Sequence, residues 1–217
     1  MKKIGVVLSG CGVRDGSEIH EAVFTLLAID KNGAESVCMA PDLEFKEVNH
    51  LTMQETGAKR NVLQEAARIA RGKIKDIKVV KGSELDALIF PGGFGAAKNL
   101  CNCAEKGADA TVHPEVARLL KEMVSAGKPI GAICIAPALV AVVLGKDFAP
   151  ELTIGNDAAT AAEISRTGSR HIDCPATDFV VDKKNRIVST PAYMLAERIS
   201  ETAEGIEKLV REVITMI

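Results

Sequence analysis

Short continuous apolar runs alternate along the chain with longer stretches in which apolar residues recur at helical spacing. Lys3–Leu8, Ser36–Ala40, Leu88-Ile89-Phe90 and Ile130–Ile133 read as strands buried on both faces of a parallel sheet. Phe179–Asp182 and Ile187–Thr190 read as a hairpin around Lys183-Lys184-Asn185. Between these runs lie the helical patterns. The first starts at Ser17 as N-cap, runs to about Asn32 with Ile19, Val23, Leu26 and Leu27 at helical spacing, and stops at Gly33. Others are expected over Arg60–Arg71, from Pro114 to Ala126, from about Ala136 through Leu144, over Ala158–Thr167, and from about Leu195 to Met216. Ile77–Val80 and Leu152–Ile154 suggest minor strands, Glu44–Lys59 a short hairpin or lid, and Asn99–Val112 a loop-rich stretch. The alternation predicts an α/β fold: an open, mostly parallel sheet with helices on both faces.

Composition narrows the functional classes. A chain of 217 residues fits one domain, residues 1–217, with a full core. A formal net charge of −2 provides no basic field for nucleic acid and no polybasic membrane patch. With 3% aromatic residues and no tryptophan, stacking platforms for single strands or sugars are not expected. No run approaches membrane-spanning length, and Ile4–Leu8 is too short for a signal peptide. The six cysteines, at 11, 38, 101, 103, 134 and 174, then read as reduced thiols in a cytoplasmic protein. Cys101-Asn102-Cys103 is a weak metal signal, and no metal or other cofactor is expected.

The chemistry concentrates where strands end. Pro129-Ile130-Gly131-Ala132-Ile133-Cys134-Ile135-Ala136-Pro137 reads as strand, sharp turn and helix, with Cys134 at the turn. The following helix offers unpaired N–H groups and a positive dipole end, which favour thiolate. Ala132 and Ala136 are small, as a strand–nucleophile–helix elbow requires where two backbones pass closely. On this stretch alone a packed structural cysteine is an equal alternative. Ligands of open α/β sheets bind beyond the carboxyl ends of strands. Two other strand ends there carry the Ser9–Gly16 glycine loop, leading to Glu18, His20 and Glu21, and the Gly92-Gly93 pair. A thiol, a carboxyl and flexible amides on one edge suit covalent catalysis. Glu21 also reads as a first-turn acid complementing the helix dipole.

Ala132-Ile133-Cys134-Ile135-Ala136-Pro137 together with Phe90-Pro91-Gly92-Gly93 resembles the ThiJ/PfpI branch of the class I glutamine amidotransferase-like superfamily. Ser9 to Glu21, Pro91 to Leu100, Asp173-Cys174-Pro175 and Thr190 to Met194 extend the resemblance over essentially the whole chain, toward the glyoxalase ElbB (enhancing lycopene biosynthesis) group. The resemblance implies a flavodoxin-like three-layer fold, Cys134 as nucleophile, and a protonated carboxyl partner at Glu21, with Glu18 next in line. It further implies a cofactor-independent glyoxalase that takes a small aldehyde, glyoxal or methylglyoxal, through a cysteine hemithioacetal. The oxyanion would be met by amides near Gly93 and Ile135, with Gly92, Glu18, His20, Asn156 and His171 lining the pocket. A homodimer is implied as well, with residues 44–75 covering an interface or the pocket.

The chain departs from its relatives in its histidines. Ile135 stands where proteases of the branch carry histidine. His171-Ile172-Asp173 replaces the H-x-E of the amidotransferases, and Asn156 stands where other relatives place a histidine. No Cys–His–acid triad is visible, which argues against peptidase and glutaminase activity. A deglycase would use the same residues, and a redox or stress sensor would use the same cysteine. Gly10-x-Gly12-x-x-x-Gly16 with Asp42 mimics a dinucleotide fingerprint, but the expected helix begins after the last glycine.

Overall fold

The computed structural model describes all 217 residues. In chain order the elements are β1 (Lys3–Val7), α1 (Ile19–Lys31), β2 (Glu35–Ala40), β3 (Glu44–Asn49), β4 (Gln54–Asn61), α2 (Val62–Ile69), β5 (Ile74–Asp76) and β6 (Ala87–Phe90). There follow α3 (Phe94–Lys98), α4 (Cys103–Lys106), α5 (Pro114–Ser125), β7 (Ile130–Ile133), α6 (Ala136–Phe148), β8 (Glu151–Leu152) and α7 (Ala158–Arg166). The chain closes with β9 (Arg170–His171), β10 (Val180–Asp182), β11 (Ile187–Thr190) and α8 (Ile199–Thr215).

Seven strands form the central sheet in the order β10-β11-β7-β6-β1-β2-β5. All neighbours run parallel except the β10–β11 edge hairpin. Because side chains alternate along a strand, each strand supplies both faces. Val7, Leu88, Phe90, Ile130 and Ala132 enter one core with α5 and α6; Ile4, Val6, Ile89, Ile133 and Val188 enter the other with α1, α2 and α8. This double burial explains why the strands read as continuous apolar runs. The architecture is the expected flavodoxin-like α/β sandwich.

Local departures have identifiable causes. Ser17 does not cap α1. Its hydroxyl accepts the Ser9 N–H at 2.9 Å, and Glu18 becomes the N-cap by accepting the Glu21 N–H at 2.7 Å. The buried face of α1 carries Glu21, Ala22, Thr25, Ala28 and Ile29, whereas Ile19, Val23 and Leu27 are exposed. The segment after β2 does form a hairpin, β3–β4, but β4 continues to Asn61 and shortens the helix expected from Arg60. Ile77–Val79 is a turn of 3-10 helix; the neighbouring strand is β5. The helix after the cysteine turn continues past Gly145 to Phe148, and the last helix starts at Ile199.

Candidate active site

Cys134 occupies the turn between β7 and α6 with φ of 62°, in the left-handed region, which costs a non-glycine residue about 1–2 kcal/mol. The surroundings hold it there. Its N–H donates to the Thr190 carbonyl at 2.9 Å on the neighbouring strand, and Pro137 opens α6 in the first turn. Strain maintained in this way is characteristic of functional turns. The thiol is almost fully buried.

Glu21 reaches the same point from α1 and is 0% exposed. One carboxyl oxygen accepts the Gly92 N–H at 2.9 Å and the other the Tyr193 N–H at 3.3 Å, which sets the carboxyl beside the Cys134 thiol. Burial, reinforced by the Glu18 charge, pushes the Glu21 pKa up to about 8. Burial likewise pushes the Cys134 thiol up, as does the Glu21 carboxylate when ionised, while the Gly93 and Ile135 N–H groups facing the sulfur oppose the rise. A carboxyl that keeps its proton withdraws the charge that penalises thiolate.

Two glycines make this approach possible. A Cβ at Gly92 would strike Cys134 and lie 2.6 Å from Glu21 Oε2. Gly93 has φ of 94°, and a Cβ there would enter the backbone of the 16–18 turn. The Gly92 carbonyl in turn accepts the Glu18 N–H at 2.9 Å, locking the start of α1 onto the strand end.

His20 joins the periphery: its half-exposed ring contacts the Tyr193 hydroxyl at 2.8 Å through Nδ1. His171 is engaged elsewhere. It lies on β9, where Nε2 accepts the Ile154 N–H at 3.3 Å and Nδ1 faces Asp173 at 3.6 Å. Burial lowers its pKa, opposed by Asp173. Asn156 is exposed on the loop after β8. Neither makes a hydrogen bond to Cys134 or Glu21. Tyr193 and Thr190 received no role from the sequence, although their stretch had been singled out. The signal was a proline directly after a strand, the same punctuation that marks Phe90-Pro91.

The glycine loop after β1 is closed on itself. The Gly12 N–H donates to Ser17 O at 2.9 Å and the Gly16 N–H to Gly12 O at 2.7 Å, while Asn99 donates to Ser9 O and Asp15 O. Those N–H groups are not directed at a phosphate. Cys101 donates its thiol to Ala96 O at 3.2 Å, and no cluster of three metal-ligating side chains includes it or Cys103.

No family model matches the chain. A human protein, glutamine amidotransferase-like class 1 domain-containing protein 3, mitochondrial, is 44% identical over 225 residues, covering 99% of this chain and 83% of that protein. The chain belongs to the class I glutamine amidotransferase-like (ThiJ/PfpI, DJ-1) superfamily. The crystal structure of an isoprenoid biosynthesis protein with an amidotransferase-like domain from Ehrlichia chaffeensis superposes with a TM-score of 0.94 at 37% identity, covering 100% of this chain and 99% of that one. Glutathione-independent glyoxalase DJR-1.2 of Caenorhabditis elegans is 30% identical over 137 residues, 61% of this chain and 62% of that protein. The cytoplasmic expectation is corrected here: the human superfamily member is by name mitochondrial, which points away from a purely cytoplasmic location. No helix is long and apolar enough to cross a membrane.

Proposed function

We propose that the protein is a glutathione-independent glyoxalase of the ElbB type, with Cys134 as nucleophile and Glu21 as proton carrier. The observation that carries this reading is the fully buried Glu21 carboxyl set beside the Cys134 sulfur at a strained elbow. The likeness to the worm glyoxalase supports it over part of the chain.

The sulfur adds to an aldehyde carbon of glyoxal, and the thiol proton passes to the carbonyl oxygen, forming a hemithioacetal. Glu21 gives its proton to the neighbouring carbonyl oxygen and, as carboxylate, takes the proton from the hemithioacetal carbon; it then delivers that proton to the neighbouring carbon and takes the proton of the first hydroxyl, ending protonated as it began. The bound group thereby becomes a thioester, with no net oxidation. Water cleaves the thioester, releasing glycolic acid and restoring the thiol. A carboxyl that titrates near 8 suits this transfer, because it holds a proton at neutral pH yet releases it readily. The Gly93 and Ile135 N–H groups, which face the sulfur in the free protein, stabilise the oxyanion beside it. The exposed Ile19, Val23 and Leu27 stripe on α1 is the face we assign to a homodimer.

Purified protein should convert glyoxal to glycolate without glutathione, and Cys134→Ala and Glu21→Gln should each abolish sustained turnover. Turnover surviving in Cys134→Ala refutes the mechanism. A protein that oxidises at Cys134 but consumes no aldehyde is a redox sensor instead, and one that releases amines from glycation adducts in preference to consuming glyoxal is a deglycase.

A further inference from the structure

A cavity of about 350 Å³ lies between α3, α4, α6 and α7. Two of its lining residues adjoin the site along the chain, Ile135 directly after Cys134 and Phe94 directly after Gly93, while Cys134 itself lies behind them and outside the lining. The remaining wall is built largely from small or aliphatic side chains, including Ala97, Ala104, Ala138 and Val142.

The Glu163 and Thr167 side chains in the wall are already engaged. Glu163 accepts the Ala108 N–H at 2.7 Å and pairs with Arg166 at 2.8 Å, and the Thr167 hydroxyl donates to Ile164 O at 2.6 Å. Thr160 and Cys103 are the remaining polar side chains, and neither carries a charge to meet a charged ligand. Pockets of this volume with apolar walls bind small hydrocarbon-bearing molecules. Glyoxal has no hydrocarbon body to occupy such a space.

We propose that this cavity receives the hydrocarbon body of the natural substrate, an aldehyde or 2-oxoaldehyde whose carbonyl reaches Cys134 while an aliphatic chain lies between α6 and α7. The proposal rests on the glyoxalase reading for its carbonyl head group but makes a binding claim of its own. The cavity, at roughly 30 Å³ per water-sized group, holds on the order of ten such groups, enough for a chain of several carbons. Each methylene transferred from water into an apolar wall tightens binding about fourfold.

The test is a titration of the protein with unreactive 2-alkanones from acetone to 2-octanone, followed by methyl shifts of Ile135, Ala138 and Val142 in NMR. Affinity should rise about fourfold per added methylene until the cavity is full. Ala138→Trp should flatten the series; Ala104→Phe, at an exposed position on a short helix, should do the same without burying a large ring in the core. A dissociation constant independent of chain length, or an undiminished rise in both filled variants, overturns the proposal. The two readings separate cleanly. Chain-length-dependent binding without turnover of any aldehyde keeps the cavity assignment and removes the glyoxalase. Turnover of glyoxal with flat alkanone binding keeps the glyoxalase and removes the cavity assignment.

Discussion

Glu21→Gln removes a titration that couples this site to the stability of the fold. The folded protein holds the Glu21 carboxyl protonated up to about pH 8, against an ordinary value of 4.5. The unfolded chain has released that proton above pH 4.5, so between these limits the native state binds more protons. Stability contributed by this group is therefore complete below pH 4.5 and declines as pH rises to about 8. The slope approaches about 1.4 kcal/mol per pH unit, or roughly 5 kcal/mol over the whole interval. Glutamine cannot titrate. Its single carbonyl oxygen also cannot accept both the Gly92 and Tyr193 N–H groups, which costs about 1–3 kcal/mol. Urea unfolding at pH 5, 6, 7 and 8 should show the variant less stable at pH 5, with the gap closing or reversing by pH 8. The carboxyl and thiol titrate as a pair, so the same series in a Cys134→Ala background isolates the carboxyl. Stability curves for wild type and variant that stay parallel across this range would refute a Glu21 held neutral by burial.

Gly92→Ala, which drives a methyl into Cys134 and Glu21, should cost about 1–3 kcal/mol in urea unfolding and eliminate glyoxal turnover. His171→Ala should lower stability by about 1–3 kcal/mol through the orphaned Ile154 N–H while leaving turnover per folded molecule within about twofold; a large loss of turnover would make it a catalytic residue. Val23→Asp on the exposed stripe of α1 should shift sedimentation equilibrium from dimer to monomer, and a monomeric wild type would dismiss that interface. Glyoxal turnover should weaken at acid pH as the thiol pair loses access to its basic form, and a pH-independent rate from pH 5 to 9 would separate the step from both groups.

The architecture was legible because strands covered on both faces must be apolar throughout, and Leu88–Phe90 and Ile130–Ile133 are. Cys134 was legible as an elbow because a left-handed turn between strand and helix requires small flanking residues. The face of α1 was not. Ile19, Val23, Leu26 and Leu27 follow helical spacing, yet Ile19, Val23 and Leu27 are exposed and the helix is rotated so that Glu21 and Thr25 point inward. A hydrophobic pattern records which residues avoid water, and a site that buries a carboxyl overrides it. The N-cap moved from Ser17 to Glu18 for a related reason: Ser17 is held by Ser9, a partner across the loop that no local pattern displays.

By itself the sequence determined the class of sheet, the position of the elbow cysteine and the candidacy of Glu21, because these depend on periodicity, turn chemistry and motifs along the chain. Tertiary structure alone decided that the Gly92 and Tyr193 N–H groups converge on one carboxyl, that His171 is tied to Ile154, and that an apolar cavity opens beside Ile135. Residues 21, 92, 134 and 193 meet only after strands β1, β6, β7 and β11 are laid side by side. Their distances and burial follow from that packing and from no property local to any one of them.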